Sequence, residues 1–417
     1  MDNTSSFPRV LLLGHQFDNR TGLGVTLSNL FANWPKERLA IMAYRINSHI
    51  CDVARPCSVY IGPHVASNKP TPRQSQSKFR AFIRKIFNYF GGQEIRYKYA
   101  YREEDISQVK VFNPDIIFSC LGSLNSMKDC LRVIESFPSA KLVLYIVDDW
   151  VNTKENNRFL PSFWRRQNNK LFRLLIDKAS VLLSICPYMS EVYKELYGKT
   201  FIPFHNPVDL DKWISQSVIR RYDKHIKSVL YVGKINADTR DCLLDTASIV
   251  EEINKSIEGI YRYRLDVYSP NYIDNQDLFC HHPNCKVFPP IPHSEIIKLT
   301  KGYDALLLTL GFSNNTRLYV RLSMPTKLTE YLAAGIPSIL YSPEEIALAK
   351  YLVPNNCSIN CLHRNHDELK HSLLSLSNQS YCSQIVQNAL ALASQHDASL
   401  VRRRFEDSLL NLAEWTA

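Results

Sequence analysis

The chain has 417 residues, 45% of them hydrophobic and 22% charged; that is too long for one ordinary core and suits two globular domains of roughly 200 residues each. No run approaches the ~18–20 apolar residues of a membrane span, and the N-terminus MDNTSSFPRVLLLGHQF has its first positive charge at Arg9 and too short an apolar core for a secretion signal, so a cytosolic protein is expected. Eleven cysteines, an odd number and scattered rather than patterned, fit reduced thiols best, while a net charge of +10 and a pI near 9.0 favour an anionic partner.

Val10–Leu13 is a short apolar run, followed by His15, then Thr21-Gly22-Leu23-Gly24, then an amphipathic stretch Val25–Trp34. The order predicts strand, glycine loop and helix, with the helix start open to an anion or a polar ligand. A nicotinamide dinucleotide fingerprint needs a third glycine, and Thr26 and Leu27 stand there instead, which excludes that cofactor. His15 is placed to reach a ligand or, as loop histidines commonly are, to be solvated.

From Arg73 to Arg102 basic residues alternate with Phe79, Phe82, Ile83, Ile86 and Phe90 at helical spacing. Such a helix either lies on an anionic membrane or docks its apolar face on its own domain. Pro114–Ser119 and Lys141–Val147 read as buried parallel strands around a helix at Ser126–Phe137. Asp148 and Asp149 follow at the carboxyl end of the second strand, where open α/β sheets bind ligands. They either orient a hydroxyl or cap the next helix.

Asp177–Ile185 and Met189–Tyr197 form a further strand and helix, and Phe201–Asp209, stiffened by Pro203 and Pro207, is the domain boundary. It divides the chain into residues 1–205 and 206–395, with a closing helix in 396–417. Ser228–Val232 then leads into Gly233-Lys234. Strands are expected at Tyr263–Tyr268, Lys286–Pro290 and Tyr303–Leu310, a helix at His293–Lys301, and a polar loop at Gly311–Leu322 carrying Asn314, Asn315, Arg317 and Arg321.

Ser323–Pro337, SMPTKLTEYLAAGIP, is the most informative stretch. Ser323 or Thr326 suits a cap, Pro325 the first helical turn, Gly335 a left-handed stop and Pro337 a barrier to continuation. Lys327 and Glu330, three apart, share a face near the start of this short helix. They hold a diphosphate and its ribose, or they are an ordinary surface ion pair. After it come a strand at Ser338–Tyr341, a helix start at Ser342–Glu345, and helices at His366–Leu376, Ile385–Ala393 and Ser399–Trp415. Cys280, His281, His282 and Cys285, and Cys357, Cys361 and His363, are cation-ligand types without standard zinc spacing, so no metal site is expected.

Pro325, Lys327, Glu330, Tyr331, Ala333, Gly335 and Pro337 match P-x-K-x-x-E-Y-x-A-x-G-x-P. In this the chain resembles GT-B glycosyltransferases of the large retaining group, the group 1 or family 4-like enzymes. The resemblance implies an α/β fold of two Rossmann-like doubly wound domains facing a cleft, the last helix, with Trp415, returning to the first domain. It implies a nucleotide-sugar donor held by Gly233, Lys234, Arg240, Pro325, Thr326, Lys327 and Glu330, with Glu330 on the ribose and Lys234 meeting charge on the leaving diphosphate. Gly22, Gly24 and His15 fall on the family's cleft loop, and Asp148 matches a catalytic position. Two departures stand out: Leu322 replaces a second family Glu, and Val147 replaces a His. The implied activity is metal-independent hexosyl transfer to a glycan or lipid-linked acceptor in surface polysaccharide or lipopolysaccharide synthesis, without cofactor, and with residues 73–102 available to an anionic membrane. A GT-B epimerase and a non-catalytic binding module are the alternatives. No nucleic-acid recognition signature is present.

Overall fold

The computed structural model describes residues 7–18, 21–43, 57–62, 86–91, 97, 99–153, 159–215, 225–256 and 261–413. Its contacts divide the chain into two compact units, Met1–Phe204 with Arg402–Ala417, and His205–Val401.

The first unit is built on strands β1 (Val10–Gly14), β2 (Leu39–Ala43), β3 (Val59–Ile61), β4 (Ile116–Cys120), β5 (Lys141–Ile146), β6 (Ala179–Ser184) and β7 (Ile202–Pro203). All pair in parallel, in the order β3-β2-β1-β4-β5-β6-β7. A parallel sheet covered on both faces needs continuous apolar strands, and VLLLG, LAIMA and IIFSC are buried throughout. The closing helix Ala398–Ala413 brings Phe405 into this core, 4.9 Å from Phe31, 5.9 Å from Phe118 and 5.5 Å from Phe204 between ring centroids. Arg402 Nε donates to Asn29 O at 2.8 Å. Trp415, like residues 73–85 of the basic stretch, lies outside the described residues.

The second unit repeats the plan with β8 (Ile226–Val232), β9 (Arg262–Tyr268), β10 (Cys285–Phe288), β11 (Ala305–Thr309), β12 (Ser338–Tyr341) and β13 (Ile359–Cys361). The order is β10-β9-β8-β11-β12-β13, again all parallel. Val229, Leu265, Leu307 and Ile339 form the centre of its core with Leu243 and Val250 from the Ala237–Lys255 helix. Asp304 accepts from the Ser228 amide and hydroxyl, both at 2.8 Å, and so ties the start of β11 to β8.

In each sheet the strand order reverses beside the first strand, between β1 and β4 and between β8 and β11. Open α/β sheets bind ligands beyond the carboxyl ends of the strands at such a switch point. Topology alone therefore selects the segments after Gly14 and after Val232.

Several local expectations change. The helix start expected at Ser342–Glu345 falls instead at Ala347, with Ile346 at the N-cap position. The first helix spans Gly22–Leu30, not Val25–Trp34, because Thr21 caps it by accepting from the Gly24 amide; both glycines lie in the first turn rather than in a loop. The expected polar loop 311–322 contains a helix, Asn314–Val320, capped by Ser313. The helix of the Ser323–Pro337 stretch is only Leu328–Ala333, with Lys327 at the N-cap position and no side-chain cap. Pro325 precedes it, its carbonyl accepting from Leu328 N at 3.0 Å. Gly335, at φ +66°, is the left-handed stop, and Lys301 Nζ donates to Ala334 O at 2.9 Å.

Candidate donor site of the second unit

At the carboxyl end of β8 the backbone of Val232 is held by two residues of the short helix segment. Lys327 Nζ donates to Val232 O, and Val232 N donates to Tyr331 Oη at 3.2 Å. Lys327 and Tyr331 are four apart, so they lie on one face and hold the two peptide groups that flank one residue. The Lys327 ammonium also stands 4.8 Å from the centre of the Tyr231 ring. Gly233 leaves the space for it, since a Cβ there would fall 2.2 Å from Lys327 Nζ. Burial pulls the Lys327 pKa down from 10.5 to about 8, with the Glu330 charge opposing that shift.

Glu330 points elsewhere. Its Oε1 is 2.6 Å from His293 Nε2, at the first residue of the turn that follows β10. The carboxylate is 9% exposed and the imidazole 53% exposed, so a solvent-facing ring covers a buried acid. The hydrogen bond to Glu330 holds the His293 pKa above 6.5, against burial and against Lys212. Lys327 and Glu330 are thus not a surface ion pair: each has its own partner.

The loop in front of this helix is fixed from behind. Asn206 Nδ2 donates to Thr326 O at 3.3 Å. His205, buried beside it, has its pKa lowered to about 3, first by burial and then by His396. Tyr351 Oη and His396 Nε2 are 2.6 Å apart. Pro325 and Thr326 remain partly exposed.

Lys234 is exposed at the end of β8, its carbonyl accepting from Tyr231 Oη at 3.2 Å. Arg240, in the following helix, donates to Asn275 Oδ1 at 3.1 Å. The structure therefore brings Gly233 and Lys327 together at the end of β8, with Lys234 next in the chain, turns Glu330 to His293, and gives Arg240 a partner of its own. Leu322, the position of the absent second Glu, is fully buried. Arg317 pairs with Glu345 beside a cavity of about 370 Å³ that Phe312, Pro343 and Arg364 help to line. Sequence reasoning missed His293, Tyr231 and Asn206 as members of this neighbourhood.

In the first unit His15 follows β1, and burial pulls its pKa down to about 4 against the Asp18 charge. Asp18 accepts from Thr21 N at 2.6 Å and from its hydroxyl. A Cβ at Gly24 would lie 2.4 Å from the Asp18 carboxyl. The first turn at Gly22 and Gly24 thus already faces a carboxylate of the chain itself, which opposes a phosphate there and suits a hydroxyl-bearing ligand. Asp148 is half-buried beyond β5. Asp149 is buried and accepts from Tyr193 Oη at 2.8 Å and Asn152 Nδ2 at 2.7 Å, a structural anchor.

Among the described residues no group of three His, Cys, Asp or Glu side chains is arranged to hold a metal ion, and no helix is long and apolar enough to cross a membrane.

The two parallel sheets with their switch points define the GT-B fold, and solved structures share it across nearly the full chain. Anabaena HepE, solved in complex with UDP, superposes with a TM-score of 0.63 at 12% identity, covering 96% of this chain and 99% of HepE. A glycosyltransferase from Rickettsia africae gives 0.63 at 11% identity, with 97% and 98% covered. A Listeria monocytogenes protein assigned as a UDP-N-acetylglucosamine 2-epimerase gives 0.53 at 12% identity, with 95% and 94% covered. At these identities the likeness concerns the fold. No protein-family model matches the sequence, and no curated protein does.

Proposed function

We propose that this chain is a glycosyltransferase that takes a sugar from a nucleoside diphosphate, UDP being the first candidate because HepE was solved with it. One observation carries the reading: at the switch point of the second sheet a lysine, Lys327, stands against Gly233, and three residues further along the short helix segment Glu330 is a buried carboxylate that His293 holds by one oxygen. A diphosphate needs the first and a ribose diol the second. Lys327 and Lys234 would stabilise charge building on the departing diphosphate, so chelator-treated protein is expected to retain turnover. Retention at the anomeric carbon is the family expectation, with the leaving phosphate itself able to take the acceptor proton.

The acceptor is assigned to the first unit, where His15, Asp18 and Asp148 follow carboxyl ends of strands, with Asp148 orienting or deprotonating the attacking hydroxyl. A glycan or lipid-linked acceptor at an anionic membrane fits the basic charge and the exposed Ile86, Tyr89, Phe90, Phe159 and Phe163. Phe90 and Phe159 lie 4.9 Å apart. Surface polysaccharide or lipopolysaccharide synthesis is the setting that follows.

The test is UDP release from a panel of UDP-sugars, with and without candidate glycan and lipid-linked acceptors. Acceptor-dependent release supports transfer. Conversion of the sugar without an acceptor would instead favour the epimerase reading, which the Listeria neighbour motivates. Binding without any turnover would favour a non-catalytic module.

A further inference from the structure

Glu330 Oε1 is engaged by His293, whereas no hydrogen bond reaches Oε2 from any described residue, and Oε2 is not among the buried polar atoms sealed from solvent. A carboxylate can rotate about its terminal torsion through a broad range, and a ring clamped on one oxygen removes that freedom. The His293 side chain faces solvent on its other side, so it costs the core little and leaves Oε2 as the one presented acceptor. Thirty-seven residues separate the two partners, and the contact exists only because the turn after β10 comes to the Leu328–Ala333 helix.

We propose that His293 is a positioning residue for the donor: it fixes Glu330 so that Oε2 is aimed at a ribose hydroxyl of a nucleoside diphosphate. The inference rests on the assignment of Glu330 to the ribose.

The charged groups acting on the imidazole are Glu330 on the short helix and Lys212 on the Leu210–Ser215 helix, while Lys327 interacts electrostatically with Glu330. With its pKa raised above 6.5 by Glu330, His293 contributes a charge-assisted bond that is complete below pH 6.5. That bond weakens as pH rises through the raised value, leaving a neutral N–H donor. UDP affinity is therefore expected to fall a few-fold across that window.

The experiment is calorimetric titration of UDP into wild type, His293→Ala, His293→Gln and Glu330→Gln between pH 6 and pH 9. His293→Ala is expected to bind UDP about tenfold more weakly. His293→Gln, whose amide replaces the Nε2 donor but does not titrate, is expected to recover most of the affinity and to lose the pH-dependent limb near neutrality. His293→Ala with wild-type affinity, or His293→Gln with an unchanged pH limb, overturns the proposal. If Glu330→Gln also binds UDP as wild type does, the ribose assignment falls with it; if Glu330→Gln is weak while His293→Ala is normal, only the positioning role falls. Should His293→Ala not fold, the pH profile of His293→Gln decides.

Discussion

Replacing Lys327 by Met tests whether this ammonium is kept for a ligand rather than for the fold. In the unliganded molecule its pKa is about 8, against 10.5 for a free lysine. At 1.36 kcal/mol per pH unit, holding the charge there costs about 2–3 kcal/mol below pH 8, allowing for the solvent that reaches a half-buried side chain. The sign follows from proton binding: between pH 8 and 10.5 the unfolded chain binds more protons, so stability rises with pH across that window and the penalty is gone above it. Lys327→Met removes the penalty but also the charge-assisted bond to Val232 O, worth about 1.5–3 kcal/mol. The two nearly cancel, so the variant is expected to lie within about 1 kcal/mol of wild type in urea at pH 7, and to lack the rise between pH 8 and 10.5. Diphosphate binding would restore the lysine's ordinary pKa, so at pH 8 wild type is expected to take up about half a proton more per UDP than the variant does, measured by titration in buffers of different ionisation enthalpy. A variant that is more than about 2 kcal/mol less stable at pH 7, or that shows equal proton uptake, would make Lys327 a structural anchor instead.

Two further outcomes follow from buried groups. Leu322→Glu, which restores the family's second carboxylate, is expected to lose at least about 3 kcal/mol in urea denaturation, because Leu322 is fully buried; wild-type stability with tighter UDP-sugar binding would contradict the placement of that side chain. Asp149→Ala is expected to cost about 1–3 kcal/mol by leaving the Tyr193 hydroxyl buried without its acceptor. Adding Tyr193→Phe should return part of that loss, and a purely additive double variant would show that the two do not interact.

Most strands were readable from the sequence because a parallel strand buried on both faces must be a continuous apolar run, as in VLLLG and ALLLT. Helix starts were less readable. Thr21 caps three residues earlier than the amphipathic pattern suggested, since the glycines after it carry no side chains to declare a face. Pro325 looks like a first-turn proline, yet it sits in a separate turn that closes on Leu328, the first residue of the helix. Within the site, Lys327 and Glu330 were visible as a charged pair in a motif. Their separate partners, Val232 and His293, were not, because both contacts are made across strand order rather than along the chain.

In the proposed function the β8 end and the Leu328–Ala333 helix bind a nucleoside diphosphate through its ribose. The most direct measurement is the affinity of wild type and Glu330→Gln for UDP and for 2′,3′-dideoxy-UDP. Wild type is expected to prefer UDP by about 10- to 150-fold, the range that a hydrogen bond to a charged group provides, and Glu330→Gln to lose most of that preference. A preference that survives the substitution unchanged, or no preference in wild type, would contradict the assignment.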